Sequence, residues 1–324
     1  MWAGAHYRPI PFLSPSDPAY TPLSPEQRRF HAQLAKEYSL ALHTAETMKR
    51  LARSEPRSGV QIVTGEEYLE CPPIENLSRK TGDVYASVDD KFRVLDQDEL
   101  DIMNTKHAQR TTSGKVKWAY RFIKAGGRTT KRCLHDLSEA LDVLPQRSPQ
   151  QSRVQPVIIN CSGLGVPTLS DPNTKVIRGQ TVLVRNKFNK TLTRQCADGT
   201  WSFLIPRPLN GGTIVGGTKQ IDDLDDSVRS EERGKLLENA VKYFHEFVSD
   251  VNEFEVITDN VGRRPWREGG VRIEVDRDTL SGRAVVVHGY GAGGRGYELS
   301  WGIASQICAL VQTHVQSKQL DAKL

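Results

Sequence analysis

Apolar residues recur along this chain at spacings typical of helices and strands. Residues 25–53 predict a helix, because Leu34, Tyr38 and Leu42 follow one another at helical spacing after an N-cap serine and a first-turn proline, Ser24-Pro25. The continuous apolar run at 157–160 predicts a buried strand of a parallel sheet. Other apolar segments predict strands of the antiparallel type at 181–185, 202–205, 213–217, 255–258 and 271–275.

The end of the chain predicts a strand, a glycine-rich turn and a helix in that order. The strand covers residues 284–288, and five of the nine residues 288–296 are glycine. A turn of this kind before a helix presents backbone N–H groups to an electron-rich ligand atom, such as a phosphate oxygen or a flavin carbonyl. Glycine-rich loops are also common as purely structural turns, so this loop alone leaves both interpretations open.

Together these patterns predict an α/β fold. Elements of a parallel sheet flank an inserted α+β part, which is built on a mostly antiparallel sheet and carries a long helix at 229–249. At 324 residues the chain is long enough for two domains, although its hydrophobic content is only 37%.

Composition excludes several classes of protein. The 44 basic and 39 acidic side chains are interspersed, and the short basic stretch at 128–132 lacks the aromatic residues of a nucleic-acid platform. No apolar run approaches the roughly 20 residues that cross a bilayer. We therefore expect neither a nucleic-acid nor a membrane partner, and we allow for a homodimer.

The cysteines and the last three residues bear on the compartment. Five widely spaced cysteines without a CxxC pair indicate a reducing compartment, and argue against a disulfide framework or a metal site of the structural zinc type. The sequence ends in Ala322-Lys323-Leu324, a tripeptide of the type that a peroxisomal import receptor reads. It predicts a peroxisomal location.

Six motifs in order along the chain resemble the D-amino-acid and D-aspartate oxidases, most closely the fungal-type members. They are residues 2–5, 160–165, 178–180, 205–208, 261–265 and 288–302. The resemblance covers most of 1–45 and 155–324. It implies FAD-dependent oxidation of a D-amino acid to an imino acid, which hydrolyses to a 2-oxo acid and ammonia, while oxygen reoxidises the flavin and yields hydrogen peroxide.

The resemblance also implies roles for individual residues. Arg264 matches the arginine that holds the substrate carboxylate, for which a planar guanidinium is well suited. Gly294 falls where a backbone carbonyl receives the substrate amine. The cofactor-binding positions that the resemblance implies are Ala3, Gly4 and Ala5 along the flavin ring, Ser162 and Gly163 near the phosphates and ribose, and Gly294, Arg295, Gly296, Tyr297 and Glu298 at the flavin's pyrimidine edge.

Phe203 departs from the family pattern, which has a tyrosine at this catalytic position. The phenylalanine keeps the ring and loses the hydroxyl that bonds the substrate carboxylate, a net effect of about 0.5–1.5 kcal/mol. Arg264 is therefore expected to hold the carboxylate unaided. Arg207 and Arg295 are candidates for recognising an acidic side chain, but we interpret both as solvated surface arginines.

Two segments of the family pattern are missing. Family members begin with a strand, a GxGxxG turn and a helix that bind the FAD diphosphate, whereas this sequence begins at the next motif, and a second gap falls near residue 121. We expect an FAD-binding part at 1–50, 121–176 and 284–324, and a substrate-binding part at 51–120 and 177–283. We also expect the chain to bind FAD weakly or not at all. The alternatives are a non-catalytic remnant and a related glycine or sarcosine oxidase.

Overall fold

The computed structural model describes residues 24–55, 58–70, 124–143, 155–165, 171–208, 210–278 and 280–321. The predictions for Ala3, Gly4 and Ala5 and for the tripeptide at 322–324 lie outside these residues, as does the whole segment 71–123. The helices are α1 (Pro25–Ser54), α2 (Ser230–Tyr243) and α3 (Gly296–Asp321), with 3-10 turns at Leu137–Val143, Val251–Glu253 and Gly293–Arg295. The strands are β1 (Thr64–Leu69), β2 (Val157–Asn160), β3 (Thr174–Val184), β4 (Lys190–Gln195), β5 (Trp201–Pro206), β6 (Thr213–Gly216), β7 (Gln220–Ile221), β8 (Val256–Arg267), β9 (Arg272–Asp276) and β10 (Val285–Tyr290).

The larger sheet is centred on β3. It runs β1-β4-β5-β6-β3, with β7 beside β6 on one edge of β3 and β8 along the other, and all pairings are antiparallel except that of β1 with β4. Helix α2 covers one face. The core between them consists of Val182, Val184, Leu192, Leu204, Val215, Leu236, Leu237, Ala240 and Phe244.

The smaller sheet has the order β2-β10-β9. Strand β2 is parallel to β10, as the sequence predicts, but Ile159 is 50% exposed, so this strand is less buried than expected. Strand β9 pairs with β10 in this sheet and not with the strands of the larger one. Strand β9 thus belongs to the sheet of β10 although it precedes residue 284, and the domain boundary at 283/284 stays a prediction.

Helices α1 and α3 cross at a glycine. A Cβ on Gly302 would lie 2.5 Å from the Cα of Leu40, so only glycine allows this approach. The Gly302 N–H donates to Thr44 Oγ1 at 3.0 Å, while the Thr44 hydroxyl donates to the Leu40 carbonyl. The predicted helix at 25–53 is thus confirmed and is fixed against the helix that follows the glycine loop.

Several observed elements differ from the predicted ones. The helix expected at 229–249 ends at Tyr243, because Phe244 leaves the helical conformation and turns its ring into the core, where Val248 is also buried. The strand expected at 255–258 continues to Arg267 and so contains the 261–265 motif. Strand β4 was not predicted. None of the described helices is both long and apolar enough to span a membrane.

Candidate functional site

The sheet face opposite α2 carries the predicted substrate residues. Directly paired residues of antiparallel strands point to the same face, and alternate residues of one strand share it. Gly179 pairs with Gly262, Thr181 with both Asn260 and Gly216, and Gly216 with Phe203. The face therefore bears, in chain order, Gly179, Thr181, Phe203, Gly216, Asn260, Gly262 and Arg264.

Arg264 lies over a glycine floor on this face. A Cβ on Gly179 would lie 2.5 Å from the Arg264 Cζ, so the guanidinium occupies the space that any other side chain would need. Arg264 Nη1 donates to the Thr218 carbonyl at 3.4 Å. No carboxylate of the described residues lies within ion-pair distance of Arg264. Its burial lowers its pKa, which marks a partly desolvated cation that would gain from a bound anion.

The Phe203 ring packs on two glycines at the other side of the same face. A Cβ on Gly216 would lie 3.0 Å from Phe203 Cε1, and one on Gly217 would lie 2.9 Å from Phe203 Cζ. Leu183, Ile205 and Ile214 form the buried cluster against which the ring rests. Phe203 and Arg264 are thus on one face, separated by Gly179 and Thr181, while the role of Phe203 towards a substrate stays a prediction.

The glycine loop reaches this face along β8. Trp266 forms a bridge with Ala292, and a Cβ on Gly294 would lie 3.8 Å from the Arg264 Cδ. Gly293 has φ +54 and abuts the Trp266 side chain, where a Cβ would come within 3.1 Å of Cδ1. The structure therefore brings Gly294 beside Arg264, although 30 residues separate them in sequence.

The turn after β2 meets the same strand from another side. Gly163 has φ +63, and a Cβ there would lie 3.0 Å from Cγ of Pro265. The Ser162 N–H and hydroxyl both donate to Asn160 Oδ1, at 3.1 and 2.6 Å. Asn160 Nδ2 in turn lies 3.1 Å from Nδ1 of the fully buried His288. Three sequence motifs thus converge around Arg264 and Pro265.

The side chains of Arg295 and Glu298 form hydrogen bonds to each other. Arg295 donates from Nε and Nη2 to the two Glu298 oxygens at 3.0 and 2.9 Å, and from Nη1 to Glu37 of α1 at 2.6 Å. Burial alone would lower the Arg295 pKa, but the bonds to Glu298 and Glu37 raise it. The interpretation of Arg295 as a solvated surface residue is wrong, since its side chain is only 18% exposed. The flavin contacts predicted at these two positions would therefore be made by backbone atoms.

A polar cluster joins β8 to the smaller sheet. Asp171, whose side chain is 6% exposed, accepts from Arg267 Nε at 2.6 Å and from the Tyr290 hydroxyl at 3.1 Å. Tyr290 also accepts from Arg272 Nη1 at 2.8 Å. Burial acts to raise the Asp171 pKa, but the hydrogen bonds from Arg267, the Asn173 N–H and Tyr290, with the charge of Arg267, together outweigh it and the pKa is lowered. The cluster holds the strand that carries Arg264 against the strand that enters the glycine loop.

Sequence reasoning missed the residues that shape the floor of the site. Gly179, Gly216 and Thr218 belong to it, as does Asn260, whose Nδ2 is buried without a hydrogen-bond partner among the described residues. Only Gly179 lay in a recognised motif, at 178–180. The signal in the sequence that could have indicated these residues is the glycine within a predicted strand, because such a glycine marks the close approach of another group.

A family model described as FAD dependent oxidoreductase matches residues 116–310, more than half of the chain. A D-aspartate oxidase of Talaromyces thermophilus is 44% identical over 331 residues, which cover 98% of this chain and 80% of that protein. The chain belongs to the D-amino-acid oxidase family of FAD-dependent oxidoreductases. The resemblance drawn from the six motifs is thereby confirmed.

Other family relatives and solved structures are more distant. A D-amino-acid oxidase of Schizosaccharomyces pombe is 28% identical, and the match covers 78% of this chain and 72% of that protein. Among solved structures, glycine oxidase from Bacillus cereus superposes with a TM-score of 0.39 and 16% identity, covering 49% of this chain and 42% of that one.

The described residues of this D-amino-acid oxidase-family chain fit a flat cofactor beside Arg264. A Cβ on Gly262 or Gly296 would meet no atom of the described residues within 4 Å, so the described part of the chain leaves space beside β8 and at the start of α3. The first N–H groups of a helix have no partner within it and are available to a ligand acceptor. FAD is the family's cofactor, and the backbone at Gly163, Gly294 and Gly296 would hold it here.

Proposed function

We propose that this chain catalyses FAD-dependent oxidation of D-amino acids and that acidic D-amino acids, D-aspartate first, are its preferred substrates. The products are the 2-oxo acid, ammonia and hydrogen peroxide. The observation that carries the proposal is Arg264, a partly buried cation that has no carboxylate partner among the described residues and lies beside Gly294 in the family's motif. The 44% identical relative, named a D-aspartate oxidase, supports the acidic preference.

In this proposal the protein orients the substrate. The guanidinium of Arg264 binds the α-carboxylate through two parallel hydrogen bonds, and the Gly294 carbonyl accepts one from the substrate amine. These two contacts fix two of the four substituents on Cα, and with them the direction of its C–H bond. FAD, when bound, would supply the acceptor for the hydride that leaves Cα. Such positioning accounts for a large part of the rate, because it replaces a random encounter by a near-attack arrangement.

Phe203 bounds the substrate space on the side opposite Arg264. Its ring supplies an apolar wall and no hydrogen bond, so recognition of the α-carboxylate depends on Arg264 to a greater extent than with a tyrosine at this position. We propose no role in side-chain recognition for Arg295, because Glu37 and Glu298 already neutralise it.

The experiment is a substrate panel. The purified chain is supplied with FAD, and hydrogen peroxide is followed with D-aspartate, D-glutamate, D-alanine, D-valine and the corresponding L-amino acids. We expect the highest kcat/KM for D-aspartate and no peroxide from L-amino acids. A higher kcat/KM for the neutral D-amino acids would refute the acidic preference, and no peroxide from a chain with bound flavin would refute the activity. A flavin titration of the same sample measures the weak FAD binding that the sequence predicts.

We also propose import into peroxisomes through Ala322-Lys323-Leu324, which suits an enzyme that releases hydrogen peroxide. A fluorescent protein fused to the N-terminus should colocalise with a peroxisomal marker and should lose that location when the three residues are removed. Unchanged location after their removal would contradict this. Assembly as a homodimer is a further proposal, which light scattering of the eluted protein tests directly.

A further inference from the structure

The direction of the Arg264 guanidinium depends on a neighbouring carbonyl. Nη1 of Arg264 donates to the Thr218 carbonyl at 3.4 Å, and Gly179 leaves the space in which the guanidinium lies. An arginine side chain has several rotatable bonds, so it keeps one orientation only where fixed groups hold it. The groups that hold Thr218 in place therefore also influence the position at which Arg264 would bind a carboxylate.

Thr218 is tied to β3 through its backbone and its side chain. Its N–H donates to the Gln180 carbonyl at 3.1 Å, and its hydroxyl oxygen accepts from the Gln180 N–H at 2.7 Å. The same hydroxyl donates to Gln220 Oε1 at 3.3 Å. Thr218 thus joins β3 to the first residue of β7, and its carbonyl is held in place from both sides.

Gln220 belongs to a buried polar network on the α2 side of the sheet. Arg178, whose side chain is 0% exposed, donates from Nη1 to Gln220 Oε1 and to Glu232 Oε2, both at 2.8 Å. Gln220 Nε2 donates to the other Glu232 oxygen. Burial acts to raise the Glu232 pKa, but the bonds from Arg178, Gln220 and Arg229, with the charge of Arg178, together outweigh it and the pKa is lowered. Further bonds from Arg178 to the Asp225 and Ser227 carbonyls, at 2.9 and 2.6 Å, fix the network to the chain that precedes α2.

We propose that Thr218 is a positioning residue for the substrate carboxylate. Its hydroxyl bonds to Gln220 in the network of Arg178, Gln220 and Glu232, while its backbone carbonyl accepts from the Arg264 guanidinium on the other side of β3. The guanidinium is thereby oriented before a carboxylate arrives, which reduces the entropy that binding must remove. The inference rests on the proposed function, in which Arg264 binds that carboxylate.

The test replaces the hydroxyl by a methyl group. Thr218→Val keeps the β-branched shape and removes only the hydroxyl's bonds, to the Gln180 N–H and to Gln220, so we expect the KM for D-aspartate to rise about 2- to 10-fold while kcat changes less. The Kd for succinate, which has the D-aspartate skeleton without its amine, should rise by the same factor in calorimetry. Thr218→Ser restores the hydroxyl and should restore both values.

Two further variants separate the possible explanations. Thr191→Val makes the same change at another sheet position, where the hydroxyl is buried without a partner among the described residues, and should leave KM and the succinate Kd unchanged. Arg264→Leu should weaken succinate binding, and an unchanged Kd in this variant would refute the proposed function. If Arg264→Leu weakens binding but Thr218→Val leaves KM and Kd at wild-type values, the inference on Thr218 is overturned, whether or not the thermal midpoint falls.

Discussion

Adding one methyl group at Gly179 should displace the Arg264 guanidinium. The Cβ of Gly179→Ala would lie 2.5 Å from the Arg264 Cζ, whereas carbon atoms pack at about 3.5–4.0 Å, so the guanidinium must move by about 1 Å or more. It is the far end of a flexible side chain and can move without distorting the sheet. Charge-assisted hydrogen bonds contribute about 1.5–3 kcal/mol, so their loss would lower kcat/KM by about 10- to 150-fold.

The stability of the same variant should not fall. Glycine within a strand costs about 0.5–1 kcal/mol relative to alanine, and Gly179 lies in the middle of β3 without a positive φ. The assay therefore pairs peroxide formation from D-aspartate with thermal unfolding of the same preparation. Gly234→Ala in α2 is the matched control, because a Cβ there meets nothing within 4 Å. Wild-type kcat/KM in Gly179→Ala would refute the position assigned to Arg264.

Three further predictions follow from single contacts. Phe203→Tyr restores a hydroxyl at Cζ and should lower the KM for D-aspartate about 2- to 10-fold, and an unchanged KM would mean that the ring edge does not face the carboxylate. Glu37→Gln removes one charged partner of Arg295 and should lower the free energy of unfolding by about 1–3 kcal/mol in urea titrations; an unaltered midpoint would count against the link between α1 and the glycine loop. The Glu232 pKa is lowered from its usual 4.5, so its contribution to stability is present above that pH and is lost as pH falls through the lowered value. Urea unfolding from about pH 6 to pH 3 should therefore show a smaller loss of stability in Glu232→Gln than in wild type, and identical slopes would contradict the assignment.

The sequence was most informative where burial alone determines structure. Helix α1 and strand β10 face the core with regular apolar spacing, and both were predicted close to their observed bounds. The strands that line the site were harder to predict. The sequence of β8 is polar after residue 258, so its apolar pattern ends there, because Gly262 and Arg264 face the candidate site and not a core. Pro265 also argues against a central strand, but within the described larger sheet β8 has β3 as its one strand partner and so lies at an edge.

The candidate site shows the same contrast. The family resemblance predicts Arg264 and Gly294 as substrate contacts because each lies in a local motif, and the structure brings the two residues together. The glycine floor and Thr218 could not be found this way, because they depend on which strands pair and on which face of each strand is shared. Arg295 was misinterpreted for a related reason: its partner Glu37 is 258 residues away, and no local pattern reveals that bond.

The oxidation state of the flavin under anaerobic conditions tests the central claim most directly. With FAD bound and oxygen removed, D-aspartate should bleach the visible absorption band of the flavin, and Arg264→Leu should require far more D-aspartate for the same loss. L-aspartate should leave the band unchanged. A flavin that stays oxidised with every D-amino acid supplied, or that is reduced equally by both enantiomers, would contradict the account.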